Sequence, residues 1–498
     1  MADVLVTHSY HVAYDPKQLR KMQPYMPLGT LYAATALRQN GLSVMAFDPM
    51  LEEPSGRLRA MLTEHRPKIV VVYEDDFNFL SKMCLTRMRA VAWEIAEAAK
   101  AIGAVTIAHG SDSTDHPLLF LQNGFDYVLC GEAEVALVQL CGSIVREDTL
   151  GMIDGLVRLD EHGHVVQSAQ RLAKNPSWAE LPLPARDLID WEPYRSAWTK
   201  AHGFFSANMV SSRGCPYHCN WCAKPISGNL FHLRPAAAVA EEMRLLKTQH
   251  GVQHIWFGDD VFALSQHWMQ EFALEVVKRD AAIPFKIQSR ANLMTEDTVR
   301  HLKGAGCAEV WMGVESGSQS VLDAMDKGLA LDSVVAARRR LKKAGIRACY
   351  FLQLGYPGET WTELQETIAF VRMTRPDDIG ISFSYPLPGT VFYDRVRREL
   401  GEKRNWVDSD DLCIMFKAAY KTDFYRAVRD ALHAEVDSWR TSHKGLEAEK
   451  RVGALWRTVV EMEPSSRDAE AFAPAERLAA FASSAFIPIE QLIPAGGN

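Results

Sequence analysis

The sequence lacks the features that would place the chain in a membrane or outside the cell. No run of about 18 apolar residues occurs, so we expect no membrane-spanning helix. The start, MADVLVTHSY, has no basic segment followed by an apolar core, so we expect no export signal. The nine cysteines show no paired spacing typical of a disulfide framework. Together these absences predict a cytoplasmic protein.

A basic stripe and internal repeats are also absent. The formal net charge is −7, which gives no support for binding nucleic acid, and no repeat or low-complexity segment occurs. The 498 residues suit two or three domains, and an apolar fraction of 47% with 23% charged residues is typical of a folded chain. We therefore expect a multi-domain globular protein with no nucleic-acid partner.

Residues 1–143 alternate short apolar runs with helical patterns. The pattern predicts strands at 3–9, 42–48, 68–74, 104–110 and 127–133, and a helix at 28–41 that ends in glycine. Such an alternation indicates an α/β domain with a doubly wound parallel sheet, in which ligands bind beyond the carboxyl ends of the strands. No G-x-G-x-x-G follows the first strand, so a dinucleotide is not favoured.

Polar segments follow these predicted strands. They are HSYHVAYD after the first, YEDDFNF (73–79) after the third, GSDS (110–113) after the fourth and GEAE (131–134) after the fifth. They fit either ordinary surface loops or a rim that grips a large flat cofactor. Residues 144–200 predict a connector, with a β-hairpin that turns near 161–164 and a proline-rich boundary.

From residue 201 to 400 the strand–helix alternation occurs six times. Strands are predicted at 206–212, 253–258, 284–290, 309–314, 347–354 and 379–384, which suits a partial (β/α)6 barrel resembling a TIM barrel. Residues 401–498 predict a helical region, with helices at 423–439 and 447–462. Catalytic residues in barrels of this kind lie after the carboxyl ends of the strands.

Three cysteines follow the first of these six strands, in the segment CPYHCNWC. Cys215, Cys219 and Cys222 are one short of a closed tetrahedral zinc site, so a zinc ion would need a remote ligand such as His218 or His232. Unpaired buried thiols are a second alternative. The third is an iron–sulfur cubane with three protein ligands, which leaves one iron open to bind another molecule.

The C-x3-C-x2-C loop, with aromatic Trp221 before the last cysteine, resembles the radical S-adenosylmethionine (SAM) superfamily. IWFGDDVF (255–262), IQSRANL (287–293), VWMGVESGSQSVLDAMDKG (310–328), FLQLGYPGET (351–360) and SYPLPGTVFY (384–393) resemble later barrel motifs of its cobalamin-linked subgroup. The first domain looks like that subgroup's cobalamin-binding module. The resemblance covers roughly residues 1–400.

The resemblance implies that Cys215, Cys219 and Cys222 ligate a [4Fe–4S] cluster, whose open iron binds SAM. It further implies that residues on four of the predicted strands, or directly after them, contact SAM. Arg290 would pair with the methionine carboxylate, or else form a salt bridge elsewhere. The remaining implied SAM contacts are Glu315, Ser316, Gln353 and Asp260. The alternatives are a buried Glu315–Arg290 pair, and a capping role for Asp259 and Asp260 before a helix that starts near Ser265.

For cobalamin, the D-x-H-x-x-G motif that supplies a histidine to cobalt in many modules is absent. The resemblance then leaves the YEDDFNF segment as the candidate for the lower corrin face and the GSDS and GEAE segments for the nucleotide tail. The candidate cobalamin-binding residues are Tyr73, Glu74, Asp75, Asp76, Phe77, Gly110, Ser111, Ser113, Gly131 and Glu132. The alternative is a degenerate module that keeps the fold without the cofactor.

The function implied is that of a cobalamin-dependent radical SAM methyltransferase. A methyl group would pass from methylcobalamin to a carbon activated by the 5′-deoxyadenosyl radical. Alternatives are a radical oxidative cyclase or rearrangement enzyme, or a sensor without turnover. Partners expected are a small-molecule, lipid or natural-product substrate and a cellular reductant such as flavodoxin or ferredoxin.

Overall fold

The computed structural model describes residues 2–52, 56–77, 85–400, 413–440 and 445–468. The chain forms two compact units. The first contains the described residues within Met1–Cys215 and Lys224–Asp260; the second contains those within Pro216–Ala223, Val261–Arg404 and Leu412–Asn498. The division falls inside the cysteine loop. The predicted domain limits at 143, 200 and 400 remain predictions.

The first unit contains eleven of the described strands. They are β1 Val4–Thr7, β2 Val44–Ala46, β3 Ile69–Tyr73, β4 Val105–His109, β5 Tyr127–Leu129, β6 Leu156–Leu159, β7 Val165–Gln167, β8 Ser206–Met209, β9 Ser212–Arg213, β10 His232–Leu233 and β11 His254–Phe257. Its helices are α1 Pro16–Lys21, α2 Leu28–Gln39, α3 Gly56–His65, α4 Leu85–Ala101, α5 Ser111–Asp115, α6 Pro117–Gln122, α7 Glu134–Arg146, α8 Glu192–His202 and α9 Ala236–His250.

Seven strands form one sheet in the order β2-β1-β3-β4-β5-β6-β7. The first five pair in parallel, as predicted from their continuous apolar runs, with Val4 opposite Ile69 and Leu5 opposite Val70. The predicted hairpin is formed by β6 and β7, which extend this sheet as antiparallel strands. β8 and β11 lie outside this seven-stranded sheet and pair with each other in parallel.

Alternate residues of the central strand β3 supply two cores. Val70 and Val72 pack with α3 and α4 on one face, while Val71 and Tyr73 pack with α2 and α7 on the other. Each such buried aliphatic side chain contributes roughly 1.5–3 kcal/mol relative to an exposed one. Two covered faces leave the carboxyl edge of the parallel strands as the position for polar side chains.

The second unit is built on four parallel strands. They are β12 Phe285–Ser289, β13 Cys307–Glu315, β14 Arg347–Leu354 and β15 Asp378–Phe383, paired in the order β15-β14-β13-β12. Its helices are α10 Gln266–Lys278, α11 Glu296–Ala305, α12 Gln319–Ala324, α13 Leu331–Ala344, α14 Trp361–Thr374, α15 Val391–Val396, α16 Thr422–Arg440 and α17 Gly445–Ser466.

All six strands predicted for residues 201–400 are therefore present, as β8 and β11 to β15. The predicted C-terminal helices are also present and slightly longer than expected, as α16 and α17. In the described part of the chain, no helix is long and apolar enough to span a bilayer. The α/β fold with parallel strands and a helical C-terminal region is confirmed.

Candidate active site

The cysteine loop begins two residues after β9. Gly214 precedes it with φ +84°, and a Cβ at this position would collide with the carbonyl of Leu230, so the entry to the loop requires glycine. Cys215, Cys219 and Cys222 are partly exposed, and none forms a disulfide. The backbone N–H of Cys222 donates to the carbonyl of Cys219 at 3.2 Å, which forms a tight turn between the last two thiols.

Asn220, between the second and third cysteines, fixes the loop in the second unit. Its backbone N–H donates to the carbonyl of Met325 at 3.1 Å, and its Nδ2 donates to the carbonyl of Ala324 and to Asp326 Oδ2, both at 2.8 Å. Its Oδ1 accepts from the Tyr356 hydroxyl at 2.8 Å. These residues were missed at the sequence level, although an asparagine between the cysteines of CNWC was a signal of a loop-bracing amide.

Arg290, immediately after β12, lies against this loop. Its Nη1 is 3.7 Å from the Sγ of Cys219, and its guanidinium carbon is 3.8 Å from the centre of the Tyr217 ring. Its Nη2 donates to the carbonyls of Lys327 and Gly328, and its Nε contacts Asn292 Oδ1 at 3.3 Å. The structure therefore brings Arg290 to a predicted cluster ligand.

Glu315 ends β13 with φ +65°, a conformation that costs a residue with a side chain about 1 kcal/mol or more. Its Oε1 pairs with Lys327 Nζ at 2.7 Å, so the alternative Glu315–Arg290 ion pair is not formed. Next to it, Ser316 is fully buried, and its hydroxyl lies 3.0 Å from that of Thr367 and accepts from Ser318 N–H. Strain concentrated at a strand end is typical of functional sites.

Gln353 and the two predicted aspartates occupy different environments. Gln353 on β14 is 4% exposed, and its Oε1 has no hydrogen-bond partner among the described residues. In the first unit, Asp259 accepts from the hydroxyls of Ser211 and Ser212 at 2.5 Å each, and burial raises its pKa to about 6. Asp260 is exposed. The capping alternative for both aspartates is wrong, because Ser265 caps α10 through Trp268 N–H.

The YEDDFNF segment follows β3 at the carboxyl edge of the first sheet, and its residues 78–79 lie outside the described part of the chain. Tyr73 packs on the His109 ring at 4.0 Å between ring centres. Glu74 accepts from the backbone and hydroxyl of Ser9, and Asp75 accepts from Gly29 N–H. Burial raises the pKa of Asp75 to about 7. Of these carboxylates, Asp75 is therefore partly protonated near neutral pH.

Asp76 and Phe77 belong to a buried network that sequence reasoning missed. Asp76 Oδ2 lies 3.1 Å from His109 Nε2 and 3.8 Å from Arg213 Nη2. Arg213, 3% exposed, donates to Glu134 Oε1 at 2.6 Å and stacks near the Phe77 ring at 5.2 Å. Burial opposes ionisation of Glu134, but the neighbouring guanidinium outweighs it and lowers the pKa to about 2. The only sign of this network in the sequence was Arg213, which lies two positions before Cys215.

The GSDS and GEAE segments also lie at this edge. A Cβ on Gly110 would meet the Glu74 side chain, and one on Gly131, at φ +88°, would collide with Ala173. Ser113 donates to the carbonyl of Gly110 at 3.2 Å. The buried Ser111 hydroxyl has no partner. Glu132 accepts from Asn175 N–H at 3.0 Å and lies 3.1 Å from His232 Nε2, so the ring suggested as a zinc ligand pairs with a carboxylate.

The donor chemistry fits the three cofactors. No three His, Cys, Asp or Glu side chains of the described ranges are arranged around a single metal ion, but in a cubane each thiolate binds a separate iron. Three cysteines within eight residues supply that donor set. The orphaned Gln353 Oε1 suits a SAM contact. The orphaned Ser111 hydroxyl and the Nε of Arg213 suit a polar cofactor at the first sheet.

Several known proteins are similar to this chain in sequence or in fold. Residues 209–371 match the model of the radical SAM superfamily. An uncharacterized methyltransferase of Pyrococcus horikoshii is 27% identical over 387 residues, 76% of this chain and 80% of that protein. The anaerobic magnesium-protoporphyrin IX monomethyl ester cyclase of Rubrivivax gelatinosus is 27% identical over 289 residues, 56% of this chain; these are 49% of the cyclase, so the match spans about half its length.

A solved structure extends the likeness to most of the chain. The radical SAM methyltransferase TsrM from Kitasatospora setae, with cobalamin and a [4Fe–4S] cluster bound, superposes with a TM-score of 0.64 and 19% identity. The superposition covers 81% of this chain and 76% of TsrM. At this identity the likeness establishes the fold. Residues 209–371 therefore form a radical SAM domain, within a chain that shares the fold of a methyltransferase solved with cobalamin and a [4Fe–4S] cluster bound.

Proposed function

We propose that this chain is a cobalamin-dependent radical SAM methyltransferase that methylates a carbon of a small molecule, lipid or natural-product intermediate. The observation that carries the proposal is the combination within one chain of a C-x3-C-x2-C loop in a radical SAM domain and a five-stranded parallel α/β sheet before it. TsrM, a methyltransferase solved with cobalamin and a [4Fe–4S] cluster bound, superposes on 81% of this chain.

Cys215, Cys219 and Cys222 would hold the cluster, and Arg290, Glu315, Ser316, Gln353 and Asp260 are the candidates for SAM. When bound, the cluster and SAM supply the radical that removes hydrogen from a carbon, and cobalamin supplies the methyl group. The protein's part is to orient these groups and exclude water. Asn220 keeps the loop rigid through its four hydrogen bonds to 324–326 and Tyr356.

At the first sheet, Tyr73 to Phe77, Gly110, Ser111, Ser113, Gly131 and Glu132 are the candidates for cobalamin. Gly110 and Gly131 are required by the packing of the rim itself, because a Cβ at either position would meet Glu74 or Ala173. His109 already contacts Asp76 and the carbonyl of Leu129 through its two ring nitrogens. We therefore propose that His109 positions Asp76 rather than binding cobalt.

The cluster requires one-electron reduction, so we also propose a cytoplasmic location with flavodoxin or ferredoxin as reductant. A second candidate function is radical oxidative cyclisation, which the 27% identity to the anaerobic cyclase favours. Methyl transfer is the stronger proposal because the methyltransferase of Pyrococcus has the same identity over 76% of this chain and the solved methyltransferase TsrM superposes on 81% of it.

The test follows the methyl group itself. Protein reconstituted anaerobically with iron, sulfide and hydroxocobalamin is incubated with SAM carrying a CD3 group, a reductant and fractionated small-molecule extracts. We expect a product that carries the CD3 label and needs both cobalamin and the three cysteines. A product that has lost hydrogen without gaining the label would contradict methyl transfer and favour the cyclase.

A further inference from the structure

Five arginines are almost completely buried in the described residues, and one of them differs from the others. Arg186 and Arg234 pair with Glu242, Arg213 with Glu134, and Arg338 with Asp377, each within 4 Å. Arg290 is 4% exposed, and no carboxylate of the described residues lies within that distance of it.

A buried charge without a counter-charge is costly, because the interior replaces little of the solvation that water provides. The contacts of Arg290 within the protein are two backbone carbonyls, one amide oxygen, one aromatic ring and one sulfur. Only the sulfur, Cys219 Sγ at 3.7 Å, becomes an anion when it binds a metal. The anion that Arg290 lacks is therefore supplied by the cluster ligand.

We propose that Arg290 is the positive counter-charge of the iron–sulfur cluster and that it raises the cluster's reduction potential. This inference rests on the cluster assigned in the proposed function. Reduction adds one electron to the cluster and no proton, so the negative charge on the thiolates and sulfides increases by one. A cation that donates N–H to a cluster thiolate stabilises the reduced form more than the oxidised form.

The four contacts also fix the direction of the guanidinium. Nη2 is held by the carbonyls of Lys327 and Gly328, Nε by Asn292, and the flat face by Tyr217, which leaves Nη1 directed at Cys219. An arginine that clamped the SAM carboxylate would instead need a free two-nitrogen fork, so this inference moves Arg290 from the SAM candidates to the cluster and leaves SAM to the other four residues. Arg290 is thus a positioning residue whose effect is present before SAM binds.

The experiment is an EPR-monitored redox titration of the reconstituted cluster with dithionite, without SAM. Arg290→Gln removes the charge and keeps a donor, Arg290→Lys keeps the charge, and Arg338→Gln is a control for loss of a buried arginine away from the loop. At one fixed ambient potential we expect the ratio of reduced to oxidised cluster to fall about tenfold in Arg290→Gln, a shift of about 59 mV for one electron. In Arg290→Lys the same ratio should fall less than threefold, and in Arg338→Gln it should equal that of the wild type.

The outcomes are distinguishable. Wild-type protein that holds no cluster contradicts the proposed function itself. A wild-type reduction potential together with weakened SAM binding in Arg290→Gln would overturn the inference and would show that Arg290 binds SAM. If Arg290→Gln binds no iron while Arg290→Lys binds it, the counter-charge is needed for assembly, which supports the inference. If neither variant binds iron although both fold, by circular dichroism, charge is not the property that matters and the inference is wrong.

Discussion

Arg213 and Arg290 represent two ways of burying a cation near a cysteine loop. Arg213, in the first unit, is 3% exposed and bonded to Glu134, with Asp76 nearby. Arg290, in the second unit, is 4% exposed and bonded to neutral groups and a thiol. The charge of Arg213 is therefore balanced by carboxylates of the protein, whereas we infer that the charge of Arg290 is balanced by an added anion.

The same contrast extends to the carboxyls. Arg213 outweighs burial and lowers the pKa of Glu134 to about 2. In the second unit, burial raises the pKa of Glu359 to about 8, and a hydrogen bond from Gly355 N–H offsets only part of this effect. Glu134 is therefore ionised at neutral pH because a guanidinium faces it, whereas Glu359 is largely protonated because burial dominates.

The largest expected effect is on iron binding. A Cys215→Ala, Cys219→Ala, Cys222→Ala variant should lose the about four irons of a reconstituted cubane, because its thiolates are the ligands. Iron analysis and EPR of the reduced protein measure the loss. Cys413→Ala, which also removes a partly exposed cysteine, is the matched control. Retention of the iron by the triple variant would refute the ligand assignment.

Next in size is the cost of removing the paired arginine. Arg213→Met leaves Glu134 buried without its partner and should lower the free energy of unfolding of the first unit by about 3–5 kcal/mol. Urea denaturation of cofactor-free protein measures the change, with exposed Arg397→Met as the control. A loss below about 1 kcal/mol would show that the buried network is not stabilising.

Removing Arg290, which has no carboxylate partner among the described residues, should lower the free energy of unfolding by a smaller amount. Arg290→Met in the same cofactor-free protein removes a buried charge along with its hydrogen bonds to two carbonyls, so we expect a loss of about 1–2 kcal/mol. The comparison with Arg213→Met uses the same denaturation measurement. An equal or larger loss at Arg290 would mean that its charge is balanced by the protein, and the contrast between the two regions would disappear.

The last expected effect is a pH dependence of stability. Glu359 has a folded pKa of about 8 against an ordinary value of 4.5, so the native state binds more protons between these values. Its contribution to stability is present below pH 4.5 and is lost as the pH rises towards 8. Glu359→Gln should therefore be more stable than wild type at pH 8 and similar at pH 5, in thermal unfolding. Glu134 behaves oppositely, because its contribution is lost only as the pH falls towards 2.

The pattern of the sequence predicted the elements well. Apolar runs such as KIVVVYE and the glycine after α2 are local signals, and the strands at 68–74 and 104–110 were predicted because burial on both faces leaves a continuous apolar run. The resemblance to the radical SAM superfamily was detectable for the same reason, because its cysteine loop is contiguous in sequence.

Partners distant in sequence could not be predicted. Lys327 rather than Arg290 pairs with Glu315, and Asn220 bonds to residues more than 100 positions away. Nothing in the local pattern distinguishes an arginine that faces a thiol from one that faces a carboxylate. Which group the arginine faces depends on how the strand ends pack, and this packing is a property of the tertiary structure.

The most direct test of the central claim is the ratio of the two products that SAM yields during coupled turnover. Methyl transfer consumes two SAM molecules, one giving S-adenosylhomocysteine and the other 5′-deoxyadenosine. Chromatography with mass detection should therefore find the two products in about equal amounts once substrate is present. 5′-Deoxyadenosine without matching S-adenosylhomocysteine, at an established rate of substrate conversion, would contradict the methyltransferase assignment.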